Sequence, residues 1–424
     1  MPQLDPREQL VAIAHRELKN MRADRIDLAP AVLEVPTAAY CDEAQFKLEV
    51  DRIFKRVPLA LGFSSEFKET GAYRALTVCN VPVIMVRGND GVMRTFVNTC
   101  SHRGNYVVPE GSGVTKRFRC GYHAWQFGIH GELISVFQES DFGTVDKSCM
   151  GLTPLPTSEV AGLVWVTLDP NSTVDINDFL SGYGDMLKFL RFDDAYVGGA
   201  QTLHGPNWKV AYDGYRDFYH LPILHRATFG PDREPKADYA SWGPHVRVMS
   251  PKSFVELAER DERTWQNDEL VHGVWTIFPN ISIAGSPTTG YMVSMMFPGE
   301  KVPESITTQN FLRYDAKSDD EQAKLGEFMK FMMTVVNDED YMTGLNVQRA
   351  LATGAKRISL FGRNELGGQL FHRWVELLIN TPDEDLPAVL RNGLALSHND
   401  QQAHNDQQAH NDQQAHNDQR AAAG

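Results

Sequence analysis

The sequence predicts an α+β protein of two domains, the first all-β and the second mixing strands with long helices. Length is the first reason: 424 residues are more than one hydrophobic core usually organises, so two domains plus appendages are expected. The second is a series of short strand-like segments between residues 50 and 170: VPVIMVRG (81–88), MRTFVNT (93–99), KRFRCGYH (116–123) and AGLVWVTLD (161–169). Each is rich in β-branched and aromatic residues and is bounded by Gly, Pro, Asn or Asp. The third is a change of texture from about residue 200. There TWQNDELVHGVWTIFPNISIAG and YMVSMMF read as strands, and the stretch from Asp319 to about Ala352 reads as one long helix.

Four segments result: 1–49, 50–170, 171–385 and 386–424. Arg7 to Met21 reads as a helix expected to pack on the second domain. At the other end HNDQQA begins at His398, His404 and His410, and HNDQRA at His416. A stretch with so few apolar side chains cannot bury enough surface to offset ordering entropy, so a disordered tail without a catalytic role is expected.

Composition narrows the function classes. An apolar fraction of 42% and a charged fraction of 23% are those of a soluble globular protein, and no apolar run reaches bilayer length. The opening MPQLDPREQLVAIAHRELKN lacks an apolar core followed by a cleavage site, so a cytoplasmic protein is expected. A formal net charge of −14 without a Lys/Arg cluster argues against nucleic acid and suits solubility or docking to a basic partner. Five cysteines, Cys41, Cys79, Cys100, Cys120 and Cys149, are too few and too scattered for a disulfide framework.

Two of them carry chemistry. CSHRG at 100–104 and CGYHAW at 120–125 give C-x-H, seventeen residues, then C-x-x-H. Two thiolates and two imidazoles from two loops make a four-ligand site for zinc or for an iron–sulfur cluster. A zinc finger usually takes two cysteines from one loop and two histidines from the other. Here Cys100 and His102 share one loop and Cys120 and His123 the other, which suits a cluster with both thiolates on one iron and both imidazoles on the second. Cys41, Cys79 and Cys149 lack such spacing and read as small core residues.

This motif resembles the Rieske [2Fe-2S] cluster of the non-haem iron aromatic-ring-hydroxylating oxygenases, large (alpha) subunit. The resemblance assigns Cys100 and Cys120 to one iron, His102 and His123 to the other, and packs Trp125 over the cluster. Neutral imidazoles lower the negative charge of such a cluster and ease its reduction.

A second constellation follows in NWKVAYDGYRDFYHLPILH, from Asn207. If Trp208 to Leu221 is helical, Asp213, Asp217 and His220 share one face, and Pro222 ends the helix so that His225 can return to the same place. A lone histidine on a helix is usually structural. Two beside carboxylates begin a facial triad that leaves coordination positions of Fe(II) open for dioxygen. The long helix offers a third ligand: Asp340 lies in a row with Met333, Val336, Gly344 and Val347, and Glu339 in an equally apolar row with Phe328, Met332, Val335 and Met342. Periodicity leaves both open.

The family resemblance favours Asp340, because the ligand carboxylate of the family lies eight residues before a Gln, here Gln348. It implies a mononuclear Fe(II) on His220, His225 and Asp340. It also implies that Asp217 bridges electrons from the Rieske cluster of a neighbouring subunit, hence a homotrimer or an α3β3 assembly with a small subunit. The family often has Glu-Asn four to five residues before the bridging Asp; this chain has Tyr212 and Asp213. The implied fold is a Rieske domain inserted in a helix-grip (START/SRPBCC-like) catalytic domain whose antiparallel sheet wraps a substrate pocket. Asp213, Gly214, Phe218, Leu224, Trp275, Phe278, Asn280, Met292 and Met296 are the candidate walls. The methionines of YMVSMMF suit an adaptable apolar site, and core packing explains them equally well.

The implied activity is that of a terminal oxygenase in aromatic hydrocarbon catabolism, using O2 to mono- or dioxygenate a small aromatic or related apolar ring. Monohydroxylation or oxidative demethylation is the alternative within the class, and a Rieske electron carrier with a ligand-binding domain the alternative outside it. No G-x-G-x-x-G follows a strand, and GSGVTK at 111–116 lacks the third glycine, so electrons are expected from a separate reductase, with or without a ferredoxin.

Overall fold

The computed structural model describes residues 5–314 and 318–394; the HNDQQA repeat lies outside them. The first helix, Pro6–Arg22, starts where Asp5 accepts hydrogen bonds from the Arg7 and Glu8 amides, while the Glu8 carboxylate returns to the Asp5 amide. As expected, it packs on the second domain, against the turns Pro251–Leu257 and Asn267–Leu270. Next, β1 (Leu33–Pro36) pairs antiparallel with Ile358–Phe361, Leu33 opposite Phe361. The chain before the all-β unit is thereby stitched to the chain after it, which is what an insertion requires.

The all-β unit comprises β2 (Leu59–Phe63), β3 (Ala72–Val78), β4 (Val81–Arg87), β5 (Met93–Val97), β6 (Gly111–Val114), β7 (Arg117–Arg119), β8 (Gln126–Gly128), β9 (Leu133–Ser135), β10 (Pro154–Leu155), β11 (Thr157–Val160) and β12 (Leu163–Val166). They form three sheets, β10-β5-β4-β3-β6, β11-β12-β2 and β7-β8-β9. A small core of its own holds Ile84, Phe96, Phe118, Trp125, Phe127 and Leu133 together with Cys100 and Cys120.

The second domain is organised by one antiparallel sheet of seven strands: β13 (Tyr196–Gly205), β14 (Asp238–Trp242), β15 (His245–Met249), β16 (Val274–Ile277), β17 (Ile281–Ser286), β18 (Gly290–Pro298) and β19 (Ser305–Arg313), in the order β13-β19-β18-β17-β16-β15-β14. Helices Asp319–Met333, Met342–Leu351 and Leu366–Asn380 accompany it. No helix of the described residues is long and apolar enough to cross a membrane.

Several local expectations need correction. The helix read over Trp208–Leu221 stops at Asp213; a 3-10 turn spans Gly214–Arg216, and Asp217 is extended with φ −137° and ψ 159°. Asp213, Asp217 and His220 therefore do not share a helix face. Pro222 sits in the first turn of a new helix, Leu221–Leu224, where its missing N–H costs nothing, so it opens a helix rather than closing one. In TWQNDELVHG, Asn267–Leu270 is a helical turn, with Glu269 accepting from the Gln266 amide. The long helix is continuous in chain but carries a π-helical stretch, Thr334–Tyr341, at its centre. Leu386–Asn392 is helical with Leu386 and Leu390 buried, so ordered core continues past residue 385. Cys149, read as a core residue, is exposed in the turn Lys147–Cys149.

Candidate active site with two metal-binding constellations

Two loops of the all-β unit approach each other at its tip. The first follows β5 and is shaped by Asn98, whose Oδ1 accepts from the Val107 and Val108 amides while its Nδ2 donates to the Val108 carbonyl. The Cys100 amide donates to the Asn105 carbonyl at 2.8 Å, and the Gly104 amide returns to the Cys100 carbonyl at 2.9 Å. Gly104 has φ +76°, a left-handed conformation that glycine adopts without steric penalty. The second loop closes the β7–β8 hairpin: the Cys120 amide donates to the Trp125 carbonyl at 2.9 Å and the Ala124 amide to the Cys120 carbonyl at 3.0 Å.

The result is a layered donor set. Both thiols are buried, at 3% and 2% exposure, whereas His102 and His123 are half-buried toward solvent with ring centroids 4.5 Å apart. Trp125 stacks on His102 at 4.9 Å and 8°. His102 Nδ1 is buried without a hydrogen-bond partner, the state of an imidazole nitrogen shaped to meet a metal. A tetrahedral zinc site needs its donors around one point. Among the described residues only His220, His225 and Asp340 bring three donor atoms within 4.8 Å of one another. The donor chemistry at the tip therefore fits a two-iron cluster, thiolates inward and imidazoles outward.

The second constellation lies in the second domain. His220 caps Leu221–Leu224 and His225 ends it, so one short helix offers an imidazole at each end, 5.2 Å apart by ring centroid. Asp340, from the π-helical stretch, places Oδ1 2.9 Å from His225 Nε2 and 3.8 Å from His220 Nε2. The Nδ1 atoms point the other way: His220 Nδ1 to Asp217 Oδ1 at 3.0 Å, and His225 Nδ1 to Glu339 Oε2 at 2.7 Å. Thr228 Oγ1 also donates to Glu339 Oε2, at 2.8 Å. Burial of His225 lowers its pKa, but Asp340 and Glu339 outweigh it and hold the imidazole above its ordinary range. Two histidines oriented by carboxylates on one nitrogen and aimed with the other at a shared carboxylate is the donor arrangement of a metal site with a supporting outer layer.

The remaining candidates scatter. Asp213 accepts from the Tyr40 hydroxyl at 3.0 Å and faces His372 Nε2 at 3.0 Å, turned toward the Leu366–Asn380 helix. Gly214 is exposed with open space around it. Phe218 packs beside Tyr239, Val248 and Leu370, and Leu224 is half-buried in the short helix between the two histidines. Phe278 packs on Phe371, and Asn280 lies in the β16–β17 turn, its carbonyl accepting from the Met296 amide. Met292 and Met296 alternate with Ser294 on one face of β18. Trp275 belongs to the opposite face, under Arg247 at 4.6 Å and beside Tyr183 at 5.6 Å; as a pocket wall it is withdrawn.

The sequence reading missed Tyr215, Ser294, Gln309 and Tyr341. The Tyr215 and Tyr341 phenols both feel the Asp340 carboxylate, and Tyr215 faces Ser294 and Gln309. Alternation within YMVSMMF places Ser294 between the two candidate methionines, a signal that was available.

Comparison with known proteins finds relatives of both parts of the chain. The family model described as ring hydroxylating alpha subunit (catalytic domain) matches residues 192–380, and that of the Rieske [2Fe-2S] domain matches residues 58–146. The carnitine monooxygenase oxygenase subunit of Escherichia coli (strain K12) is 28% identical over 335 residues, covering 76% of this chain and 85% of that protein. The glycine betaine monooxygenase oxygenase subunit of Chromohalobacter salexigens is 30% identical over 281 residues, 64% of this chain and 59% of that protein. Among solved structures, the quaternary ammonium Rieske monooxygenase CntA with L-carnitine superposes with a TM-score of 0.70 at 22% identity, covering 83% of this chain and 97% of that one. Naphthalene 1,2-dioxygenase from Rhodococcus sp. bound to indole gives 0.66 at 20% identity, covering 88% and 99%.

Proposed function

Because this chain belongs to the Rieske non-haem iron oxygenases as an alpha subunit, we propose that it is the terminal component of a monooxygenase acting on a small quaternary ammonium compound, fed with electrons by a separate reductase. The single observation that carries the oxygenase reading is the convergence of His220, His225 and Asp340, with Asp217 and Glu339 behind the two imidazoles. Both curated relatives described above are named for carnitine or glycine betaine, which favours monooxygenation of such compounds over dioxygenation of an aromatic hydrocarbon.

In this reading Cys100, Cys120, His102 and His123 hold the [2Fe-2S] cluster, and His220, His225 and Asp340 hold Fe(II). When bound, these groups supply single electrons and a ferrous centre able to activate dioxygen. The chain's own residues do the rest. Asp217 accepts from the Nδ1–H of His220 and Glu339 from that of His225, which fixes each tautomer with Nε2 bare and aimed at the metal position. Asp340 would supply the negative ligand, completing a set of two histidines and one carboxylate of the kind that keeps coordination positions free. Asp217 is only partly buried, its side chain 19% exposed, so it can meet a neighbouring subunit's cluster domain in a trimer. Trp125 and the buried thiols keep water from the inner side of the cluster.

Product analysis tests this reading. The purified oxygenase, supplied with a reductase and NADH, should convert a quaternary ammonium compound with one oxygen atom from 18O2 appearing in product; conversion of naphthalene to a cis-dihydrodiol instead would overturn the substrate reading.

A further inference from the structure

A row of polar side chains crosses the middle of the sheet where apolar packing would be expected. Register places Thr276 opposite Ser282, Ser282 opposite Ser294, Ser294 opposite Gln309 and Gln309 opposite Gln201, five adjacent strands on one face. Thr276, Ser282, Ser294 and Gln309 are 0%, 2%, 0% and 0% exposed. Met292 and Phe311 flank the row on one side and Met296 on the other. Such a conflict between local polarity and burial costs stability and persists where function requires it.

Thr276 is satisfied, its hydroxyl donating to the Val246 carbonyl and accepting from Arg216, but the Gln309 end of the row is under-used. Gln309 Oε1 accepts from Gln201 Nε2 at 2.7 Å, but Gln309 Nε2 reaches Ser294 Oγ only at 3.5 Å. The Tyr215 hydroxyl faces Tyr341, Ser294 and Gln309, is buried, and closes no hydrogen bond. Tyr341 is already engaged, its hydroxyl 2.6 Å from Thr307 Oγ1. Tyr215 thus holds an unspent hydroxyl beside the weakly joined Ser294–Gln309 pair and the residue that follows the candidate ligand Asp340. Buried groups of this kind are normally satisfied, so a partner from outside the chain is indicated.

We infer that Tyr215, Ser294 and Gln309 form a specificity subsite that hydrogen-bonds a neutral oxygen of the substrate, a hydroxyl or carbonyl, at the end of the molecule away from the reacting carbon. The inference rests on the proposed oxygenase function and adds the feature that substrate must carry. A site built to hydrogen-bond such an oxygen rejects an analogue lacking it far more strongly than an apolar pocket rejects an added hydroxyl, because the protein groups are then left unpaired.

The test compares (2-hydroxyethyl)trimethylammonium with propyltrimethylammonium, in which a methyl replaces the hydroxyl. The wild-type oxygenase with its reductase should favour the hydroxyl compound by about 100-fold or more in kcat/KM, and calorimetry on the iron-loaded protein without reductase should show the same preference in Kd. Tyr215→Phe and, separately, Gln309→Met should bring the ratio within about 10-fold, chiefly by weakening the hydroxyl compound, with the Rieske absorption unchanged as a check on folding. Equal use of the two compounds by wild type, or a ratio untouched in both variants, would overturn the subsite. If neither ammonium compound is oxidised and aromatic compounds are, the substrate reading fails. The subsite is then decided by 1-naphthol against 1-methylnaphthalene, where loss of preference in Tyr215→Phe supports it and absence of preference overturns it.

Discussion

Glu339 and Asp340 are consecutive residues that hold opposite nitrogens of one imidazole: Glu339 Oε2 lies 2.7 Å from His225 Nδ1, and Asp340 Oδ1 lies 2.9 Å from His225 Nε2. The π-helical stretch Thr334–Tyr341 carries both. Such insertions widen one turn and recur at functional sites. On the proposed reading one carboxylate orients the ring, and its neighbour would join the ring's other nitrogen as a ligand of Fe(II).

The two carboxylates should therefore differ in kind. Asp340→Ala should lower iron content from about three to about two per chain and abolish product, with the Rieske absorption intact. Glu339→Gln should still bind the third iron but with about 10- to 100-fold weaker affinity, read by iron titration of the chelated protein. Equal loss in both variants would reject the division of labour.

Asp217 accepts from both the His220 amide, at 3.2 Å, and His220 Nδ1. Asp217→Asn should leave both metal sites filled, since an amide oxygen still accepts from the ring, while slowing reoxidation of the reduced cluster by O2 and substrate by about 100-fold or more in stopped-flow absorption. His220→Ala should retain cluster colour and lose product; turnover by that variant would count against the site.

At the tip, Trp125 stacks on His102 and on the proposed reading would shield the cluster face from water. Trp125→Ala should raise the reduction potential and shorten the lifetime of the cluster in air, because exposure and lost packing both act on it. Spectroelectrochemistry and bleaching of the visible cluster absorption report the two effects.

Two buried titrating groups shape stability against pH. Burial raises the Glu17 pKa to about 8, with Asp238 adding to the rise and Arg16 opposing it. An acid whose folded pKa is raised stabilises the fold fully below its unfolded pKa and loses that contribution as pH climbs through the folded value. Glu17→Gln should gain on wild type in Tm as pH rises from about 5 to about 8 and then run parallel to it. His245 is opposite: burial pushes it down to about 3, with Nε2 donating to the Phe179 carbonyl and Nδ1 accepting from the Phe278 amide. Its contribution is present above the unfolded pKa and is lost as pH falls toward 3. A Tm difference between Glu17→Gln and wild type that does not vary with pH would sink the first assignment.

Lys209 and Glu49 form an ion pair with both side chains fully buried, and Trp208 Nε1 donates to the same carboxylate at 2.9 Å. Lys209→Met leaves Glu49 uncompensated and should destabilise by about 3–5 kcal/mol; adding Glu49→Gln should recover much of that. Chemical denaturation of the two variants gives the comparison.

The sequence alone marked both candidate ligand sets, because residue type and short spacing carry them: C-x-H with C-x-x-H, and two histidines five residues apart beside carboxylates; it misplaced the helix around the second, which stops at Asp213 and restarts at Leu221. It also determined the helical run from Asp319 and the strand content of residues 50–170, where local pattern and final structure coincide. The tertiary structure was needed to bring Asp340, already favoured over Glu339 by the family spacing to Gln348, against both imidazoles, since the two helical rows are equally apolar and the histidines arrive from more than a hundred residues earlier. It also turned Asp213 to Tyr40 and His372, put Trp275 on the far side of the sheet, and gathered Tyr215, Ser294 and Gln309 into one polar patch. Which way a side chain faces is set by what packs against it, and those partners lie on strands and helices that only the folded chain brings together.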